Sequence, residues 1–478
     1  MTSFPVIPAE TLTKLPPHEC EIGTRLRQAL VALNRIIVVL DDDPTGVQTV
    51  NNVFVYTGWD FETLRDAFWS SERMFFILTN SRGLTSSESR SQHREIAENL
   101  LRASEETGKR FLLLSRGDST LRGHWPMETE VLREVLEAGN GRRYDGEVIY
   151  PFFPEGGRYT LSDVHYALQN EKLVPVGQTE FARDKSFGYT ASALSEWCEE
   201  KSAGRFPASS CCRISLAELR TGNTEKIVER LMAVTGFEKI TADSADYEDV
   251  RVFAAALCEA VAAGKEYLFR CAAALPKVLG AVEDKPLLTR EDLIDRGNRN
   301  GGIILVGSHV NKTTRQLECL KTGSLPIEFI QFDQHLVLEE GGLEKETERV
   351  VAQVEALLPA GRSVAVFTRR ERLDLPEEDG DLQLRISTRI SDALTAVIGN
   401  LSTRPSFIVA KGGITSSDVG TKALKVRKAL VKGQIRPGIP VWQTGPESRF
   451  PGLPYVIFPG NVGAEDDLLR IARTLISA

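Results

Sequence analysis

Carboxylates and guanidinium groups gather at four places in the first third of this sequence, each time where a short apolar run ends. Ile36–Leu40 runs into Asp41-Asp42-Asp43-Pro44-Thr45-Gly46, and Phe75–Leu78 into Thr79-Asn80-Ser81-Arg82-Gly83. Phe111–Leu114 runs into Ser115-Arg116-Gly117-Asp118-Ser119-Thr120-Leu121-Arg122-Gly123. The run ending at Tyr150 leads into Pro151-Phe152-Phe153-Pro154-Glu155-Gly156-Gly157-Arg158. Arginine suits planar, two-point capture of a carboxylate. Aspartate accepts hydrogen bonds from several hydroxyls and can take the proton of an attacking one. Arg82, Arg116, Arg122 and Arg158 with Asp42, Asp43 and Asp118 therefore suit a small polyhydroxy acid. The bland alternative is a set of solvated loop charges and structural ion pairs.

The second half offers a different chemistry. Phe407–Ala410 is followed by Lys411-Gly412-Gly413-Ile414-Thr415-Ser416-Ser417-Asp418 and then by VGTKALKVRKAL, which reads as helix. Paired glycines ahead of a helix start let backbone N–H groups approach a phosphate. Ile303–Val306 leads likewise into Gly307-Ser308-His309-Val310-Asn311-Lys312 and a helix, and Phe458 into Pro459-Gly460-Asn461-Val462-Gly463. Neither GxxxxGK[ST] nor GxGxxG occurs, so each loop alone is equally well a tight turn and cap. His309 reads as a packed or capping residue.

The elements that must hold these loops alternate between short β-branched or aromatic runs and helical patterns such as FETLRDAFW and SESRSQHREIAENLLRASEE. That alternation implies right-handed crossovers and largely parallel sheets covered on both faces, with ligands at the carboxyl ends of the strands. The expectation is an α/β protein of two domains, each a mainly parallel sheet covered by helices, with the active site in the cleft between them. A chain of 478 residues fits two or three compact units. The divisions read as an N-terminal extension over 1–30, an acid-binding domain over 31–280, a charged linker over 281–300 and a phosphate-binding domain over 301–478. Between the two series, 240–279 reads as a short strand and a long alanine-rich helix.

A net charge of −8 argues against a general nucleic-acid partner. Without ~18 consecutive apolar residues no spanning helix is expected, and the N-terminus lacks a basic start followed by an apolar run. Seven cysteines without CxxC spacing and six scattered histidines suggest reduced thiols, no structural metal and a cytoplasmic location. A homodimer is expected only from how often soluble enzymes form one.

These segments resemble the four-carbon acid sugar kinase family. The family's DDxTG opening matches Asp42 to Gly46, its DSTLRG signature stands unbroken from Asp118 to Gly123, and its PxFPxxGR element matches Pro151 to Arg158. A TEFARD-type segment is matched by Thr179 to Asp184, the GS helix start by Gly307-Ser308, the GGxTS loop by Gly412 to Ser416, and the PGNxG ending by Pro459 to Gly463. The order is the family's over residues 35 to 470. The chain departs at Arg116, Ile414 and His309-Val310, and around Arg270-Cys271-Ala272, where glycines are usual.

The resemblance implies ATP and Mg²⁺, and phosphorylation of threonate, erythronate or oxo-tetronate at the terminal hydroxyl. It places Asp42, Asp43, Arg82, Arg116, Asp118 and Arg122 on the sugar acid, and Ser308, Gly412, Gly413, Thr415, Ser416, Gly460 and Asn461 on ATP. Arginines would grip the substrate carboxylate, Asp43 or Asp118 would orient or deprotonate the far hydroxyl, and domain closure would exclude water. Two other readings stand beside it. Asp41-x-Asp43-x-Thr45 and Thr79-Asn80 imitate haloacid-dehalogenase phosphatase motifs, without that family's later lysine and paired acids. A non-catalytic sensor of a sugar acid and a nucleotide is the second.

Overall fold

The computed structural model describes residues 4–19, 21–44, 46–371, 373, 380–460 and 462–476. The chain is α/β and divides into two compact units, Met1–Thr49 with Gly58–Glu283, and Val50–Thr57 with Asp284–Ala478.

The first unit contains β1 (Ile7–Pro8), β2 (Ile36–Asp41), β4 (Met74–Leu78), β5 (Phe111–Arg116), β6 (Gly146–Tyr150), β7 (Arg158–Leu161), β8 (Val164–Gln169), β9 (Lys172–Pro175), β10 (Cys212–Ile214), β11 (Glu238–Ala242) and β12 (Tyr267–Cys271). Seven of these form a wholly parallel sheet in the order β10-β11-β6-β12-β5-β2-β4. The unbroken apolar run of β2 is buried at every position, as a strand covered on both faces requires. A small antiparallel sheet, β1-β9-β8-β7, lies apart from it. Its edge strand comes from the N-terminal segment, where Pro8 is tolerated because an edge leaves one side of the backbone unpaired.

The second unit contains β3 (Val53–Tyr56), β13 (Ile303–Val306), β14 (Ile327–Phe332), β15 (Ser363–Thr368), β16 (Ile408–Lys411), β17 (Lys428–Arg436), β18 (Ile439–Thr444) and β19 (Pro454–Phe458). Strands β19-β16-β13-β15-β14 run parallel, and the hairpin β17–β18 extends the sheet antiparallel to β19. Strand β3 arrives from the first series of the sequence and pairs antiparallel with β17. Leu317 and Leu320 from one helix, and Leu468, Ile471 and Leu475 from another, pack on the faces of β13, β16 and β19. Leu288 and Leu293, within the charged stretch before Gly301, are buried in that same core.

One element differs from the sequence reading. The segment VGTKALKVRKAL is not one helix: Val419–Ala423 forms a π-helical turn and Lys428–Arg436 is strand β17. Lys, Ala, Leu and Arg are helix formers, but the side chains of β17 alternate strictly between half-buried and buried. That period of two, together with pairing on both sides, overrides propensity.

Candidate active site

Because the first unit's sheet is parallel, its carboxyl edge collects the exits of β4, β2, β5, β12 and β6. The exit of β2 is compact. Arg116 donates to Asp41 Oδ1 at 3.1 Å, and a Cβ on Gly46 would fall 1.9 Å from Asp41 Oδ2, so the loop folds directly over this carboxylate. Burial pushes the Asp41 pKa up to about 7; Arg116 opposes the shift, while Asp42 and Asp43 add to it.

Arg82, from the exit of β4, binds three aspartates: its Nη2 lies 3.0 Å from Asp42 and 3.2 Å from Asp43, and its Nη1 3.8 Å from Asp118. Arg122 Nε donates to Asp118 Oδ2 at 2.7 Å, and the Thr120 hydroxyl donates to the same oxygen. Burial alone would raise the Asp118 pKa, but Arg82 and Arg122 outweigh it and hold the carboxyl well below the usual carboxylate range. The loop is fixed from behind by Tyr189, whose hydroxyl donates to Thr120 O at 2.6 Å, and by His165 Nε2 at 2.8 Å from Ser119 O. Burial pushes His165 down to about 4, so it is neutral and carries its proton on Nε2, facing that carbonyl.

The Phe181 ring lies against two guanidinium groups, Arg122 at 5.2 Å and Arg158 at 5.3 Å, within range of a cation–π contact. Arg158 donates to Gly156 O, its Nε is shut off from solvent with no partner, and no carboxylate among the described residues lies within ion-pair distance. The fold thus brings Asp42, Asp43, Arg82, Arg116, Asp118 and Arg122 into one ion-pair network, with Arg158 joined to Arg122 through Phe181.

Sequence reasoning missed Arg270, at the end of β12. Its Nη2 donates to Arg122 O at 2.8 Å and its Nη1 lies 3.3 Å from Glu128. The YLFRC run ahead of Ala272 was the available signal.

In the second unit, β19, β16, β13 and β15 are neighbours and their exits converge. Gly412 holds φ +132, and a Cβ there would lie 3.1 Å from both Ser308 Cβ and Thr415 Oγ1. A Cβ on Gly460 would meet Ser308 Oγ at 3.2 Å, whereas one on Gly413 would meet nothing within 4 Å. Ser308, Gly412, Thr415 and Gly460 therefore lie together, with Gly413 open. The Ser416 hydroxyl turns inward and donates to Ala410 O at 2.8 Å. Asn461 lies outside the described residues.

Two cations here went unread. The Lys411 side chain is fully buried; its Nζ donates to Pro459 O at 2.6 Å and to Gly460 O at 3.2 Å, over the Phe458 ring at 3.6 Å. Burial and the neighbouring Lys312 push its pKa down to about 7, against Asp467. Arg370, just past β15, donates to Ser308 O at 2.7 Å and to Thr314 Oγ1 at 2.9 Å. Neither has a carboxylate within ion-pair distance among the described residues. Glycines at close approach, inward cations and few counter-ions suit a polyphosphate.

A third cluster, His18, Asp246 and Asp249, has metal-ligand residue types, but the Arg220 guanidinium occupies both carboxylates at 2.8 and 3.2 Å, so it is an ion-pair cluster.

Residues 37–279 match the model of a sugar-binding N-terminal domain, and residues 303–468 that of a nucleotide-binding C-terminal domain. Haemophilus influenzae protein HI1011, a DUF1537 protein, shares the fold with a TM-score of 0.61 at 17% identity, over 92% of this chain and 100% of its own. A Salmonella typhimurium LT2 protein, described provisionally as a tRNA synthase, does so with a TM-score of 0.62 at 17% identity, over 91% of this chain and 98% of its own. No curated protein matches the sequence. The two domain matches lie in order over the two groups of loops just described, and the chain belongs to the family that joins a sugar-binding N-terminal domain to a nucleotide-binding C-terminal domain, the four-carbon acid sugar kinase architecture.

Proposed function

We propose that the chain is an ATP-dependent kinase that phosphorylates a terminal hydroxyl of a small sugar acid, of the size of threonate, erythronate or oxo-tetronate. The observation that carries this reading is Arg158. Arg82, Arg116, Arg122 and Arg270 are each tied to a carboxylate, whereas Arg158 stands beside the same network without one. Holding a half-buried guanidinium without a paired carboxylate is costly, offset only by the longer-range pull of Asp118, and a substrate carboxylate would reduce that cost. Arg158 would grip the acid, and the carboxylate oxygens of Asp42 and Asp118 would accept hydrogen bonds from its hydroxyls.

The proton of the attacking hydroxyl goes to Asp43 in this reading. Asp118 is held too acidic by its two arginines to be an effective base, and Asp42 is nearly closed to solvent, with 4% of its side chain exposed against 26% for Asp43. The loops at Ser308, Gly412, Gly413, Thr415 and Gly460 would hold the triphosphate. Mg²⁺ would arrive bound to its oxygens and neutralise charge as the phosphoryl group moves; no residue of the chain is assigned to it.

A coupled assay of ADP release, run over four- to six-carbon aldonic acids, tests this. ADP release that requires both ATP and one class of acid supports the kinase. Hydrolysis of p-nitrophenyl phosphate without ATP points instead to a phosphatase, and stoichiometric binding of both ligands without ADP to a sensor; either result ends the proposal.

A further inference from the structure

Arg270 and Glu128 lie beneath the acid-binding loops, almost closed to solvent at 5% and 2% exposure. Each reaches several loops. Glu128 Oε1 accepts from the Ser81 hydroxyl at 2.6 Å, next to Arg82, and from Ser89 at 3.1 Å on the helix that follows; His93 lies 3.7 Å from the same oxygen. Arg270 donates to Arg122 O, reaches Ser115 Oγ at 3.4 Å and lies 3.9 Å from Asp42 Oδ2, an atom shut off from solvent with no hydrogen-bond partner. The Arg270–Glu128 pair at 3.3 Å joins the two sets. Two glycines make room for it. A Cβ on Gly117 would fall 2.1 Å from the Arg270 Cζ, and one on Gly123 2.4 Å from its Nη2.

Arg270, next to last in β12, and Glu128, in the first turn of the helix Met127–Asn140, spend their polar atoms on each other and on the loops and are almost closed to solvent, so neither is a substrate contact. Resting on the proposed acid-binding role of these loops, we infer that the buried Arg270–Glu128 pair is a positioning strut: it sets the spacing of Arg82, Arg122 and Asp42, and so the affinity for the sugar acid, and it occupies the space that the glycines at 117 and 123 leave open. The strut acts on one ligand only, because all of its contacts are in the first unit.

Gly117→Ala and Arg270→Met test this alone and together, with Arg270→Lys as the conservative variant. Forcing the guanidinium aside should reproduce its removal. Gly117→Ala and Arg270→Met should each raise KM for the acid on the order of tenfold to a hundredfold, the effect of about 1 Å of misplacement, with KM for ATP within about threefold. The double variant should be no worse than Arg270→Met, since the added methyl then meets empty space, and Arg270→Lys should recover part of the loss. Additive effects, parallel changes in both KM values, or an unchanged acid KM would each overturn the strut. Should the wild type release no ADP with any acid, the kinase reading falls by itself. Hydrogen–deuterium exchange then still decides the strut: both variants must raise exchange in peptides covering 79–84 and 117–123, and unchanged protection overturns it.

Discussion

Replacing Lys411 by methionine should make the protein more stable in mild acid and progressively lose that advantage as pH rises. The amine is fully buried at the end of β16, and its pKa of about 7 lies some three and a half units below the ordinary lysine value of 10.5. The unfolded chain binds this proton up to about pH 10.5, whereas the native chain releases it near 7. Between those values the unfolded state holds more protons, so native stability rises with pH, and below 7 the full cost of the buried charge remains. At 1.36 kcal/mol per unit that cost is on the order of 5 kcal/mol. Between about pH 6 and about pH 8.5 the linkage relation makes roughly 2 kcal/mol of it disappear. For a unit of this size, that is about 4–8 °C in Tm. Calorimetric unfolding of the full chain and of Lys411→Met at the two pH values isolates the term, because every other titrating group is common to both. The variant loses two hydrogen bonds to the Pro459 and Gly460 carbonyls, which moves its curve down equally at both pH values and leaves the difference intact. The same argument requires the wild type to take up protons on binding ATP, since phosphate oxygens near Gly412 would raise the amine pKa; titration in buffers of different ionisation enthalpy reads this, and the variant should show none. Parallel pH dependences in the two proteins would refute the reasoning.

Three further outcomes follow from the geometry. Asp118→Asn should lower turnover by about a hundredfold, the effect of misplacing the substrate, because it removes the carboxylate that holds Arg122 and one of the three that hold Arg82, and the wild-type rate profile should show no acid limb from Asp118 above about pH 5, in keeping with its depressed pKa; near-normal turnover in a folded variant would remove it from the mechanism. Gly412→Ala places a Cβ at φ +132, 3.1 Å from Ser308, and should weaken ATP binding about tenfold while acid binding holds; Gly413→Ala, which meets open space, should change it little, and calorimetry giving the opposite order would reassign the loop. Arg158→Met should cost the acid roughly ten- to a hundredfold in affinity, the worth of a charged hydrogen bond, with Tm unchanged or higher; an unaltered acid affinity would move the carboxylate anchor elsewhere.

The grouping of the four loops in the proposed acid site was legible because each begins where an apolar run stops, and in a parallel sheet every such stop falls on the same edge. Arg270 escaped because YLFRC, though a strand-like run, follows directly on an alanine-rich helix and carries its arginine inside the run rather than in a polar cluster after it. Lys411 was visible beside its glycines. What sequence cannot show is that the ammonium turns inward to two carbonyls forty-eight and forty-nine residues away. The same limit hid the placement of β3: VFVY reads plainly as a strand, but its partner, β17, lies more than 370 residues later and was itself masked by helix-forming residues. Local pattern fixes periodicity; pairing partners and inward-turning polar groups are decided by long-range packing.

Charge pairing distinguishes the two sites more sharply than residue type does. At the first unit's strand exits most arginines are paired: Arg82 alone serves three aspartates, and Arg116, Arg122 and Arg270 each have at least one carboxylate. Such a network is rigid and close to neutral, so it offers one unmet positive charge, Arg158, to a ligand. That suits a monoanion whose hydroxyls need acceptors. In the second unit the described residues place Lys411 and Arg370 at the strand exits with no carboxylate in ion-pair range, and the nearest acid acting on Lys411, Asp467, does not outweigh burial. A buried amine and a half-buried guanidinium, neither paired with a carboxylate, are stabilised most by a ligand carrying several negative charges on close-set oxygens, which would also hold the proton on Lys411. The proposed assignment of sugar acid to the first unit and triphosphate to the second therefore rests on where counter-ions are missing, and exchanging the two ligands would put a polyanion on an aspartate-rich rim and leave Lys411 and Arg370 unmatched.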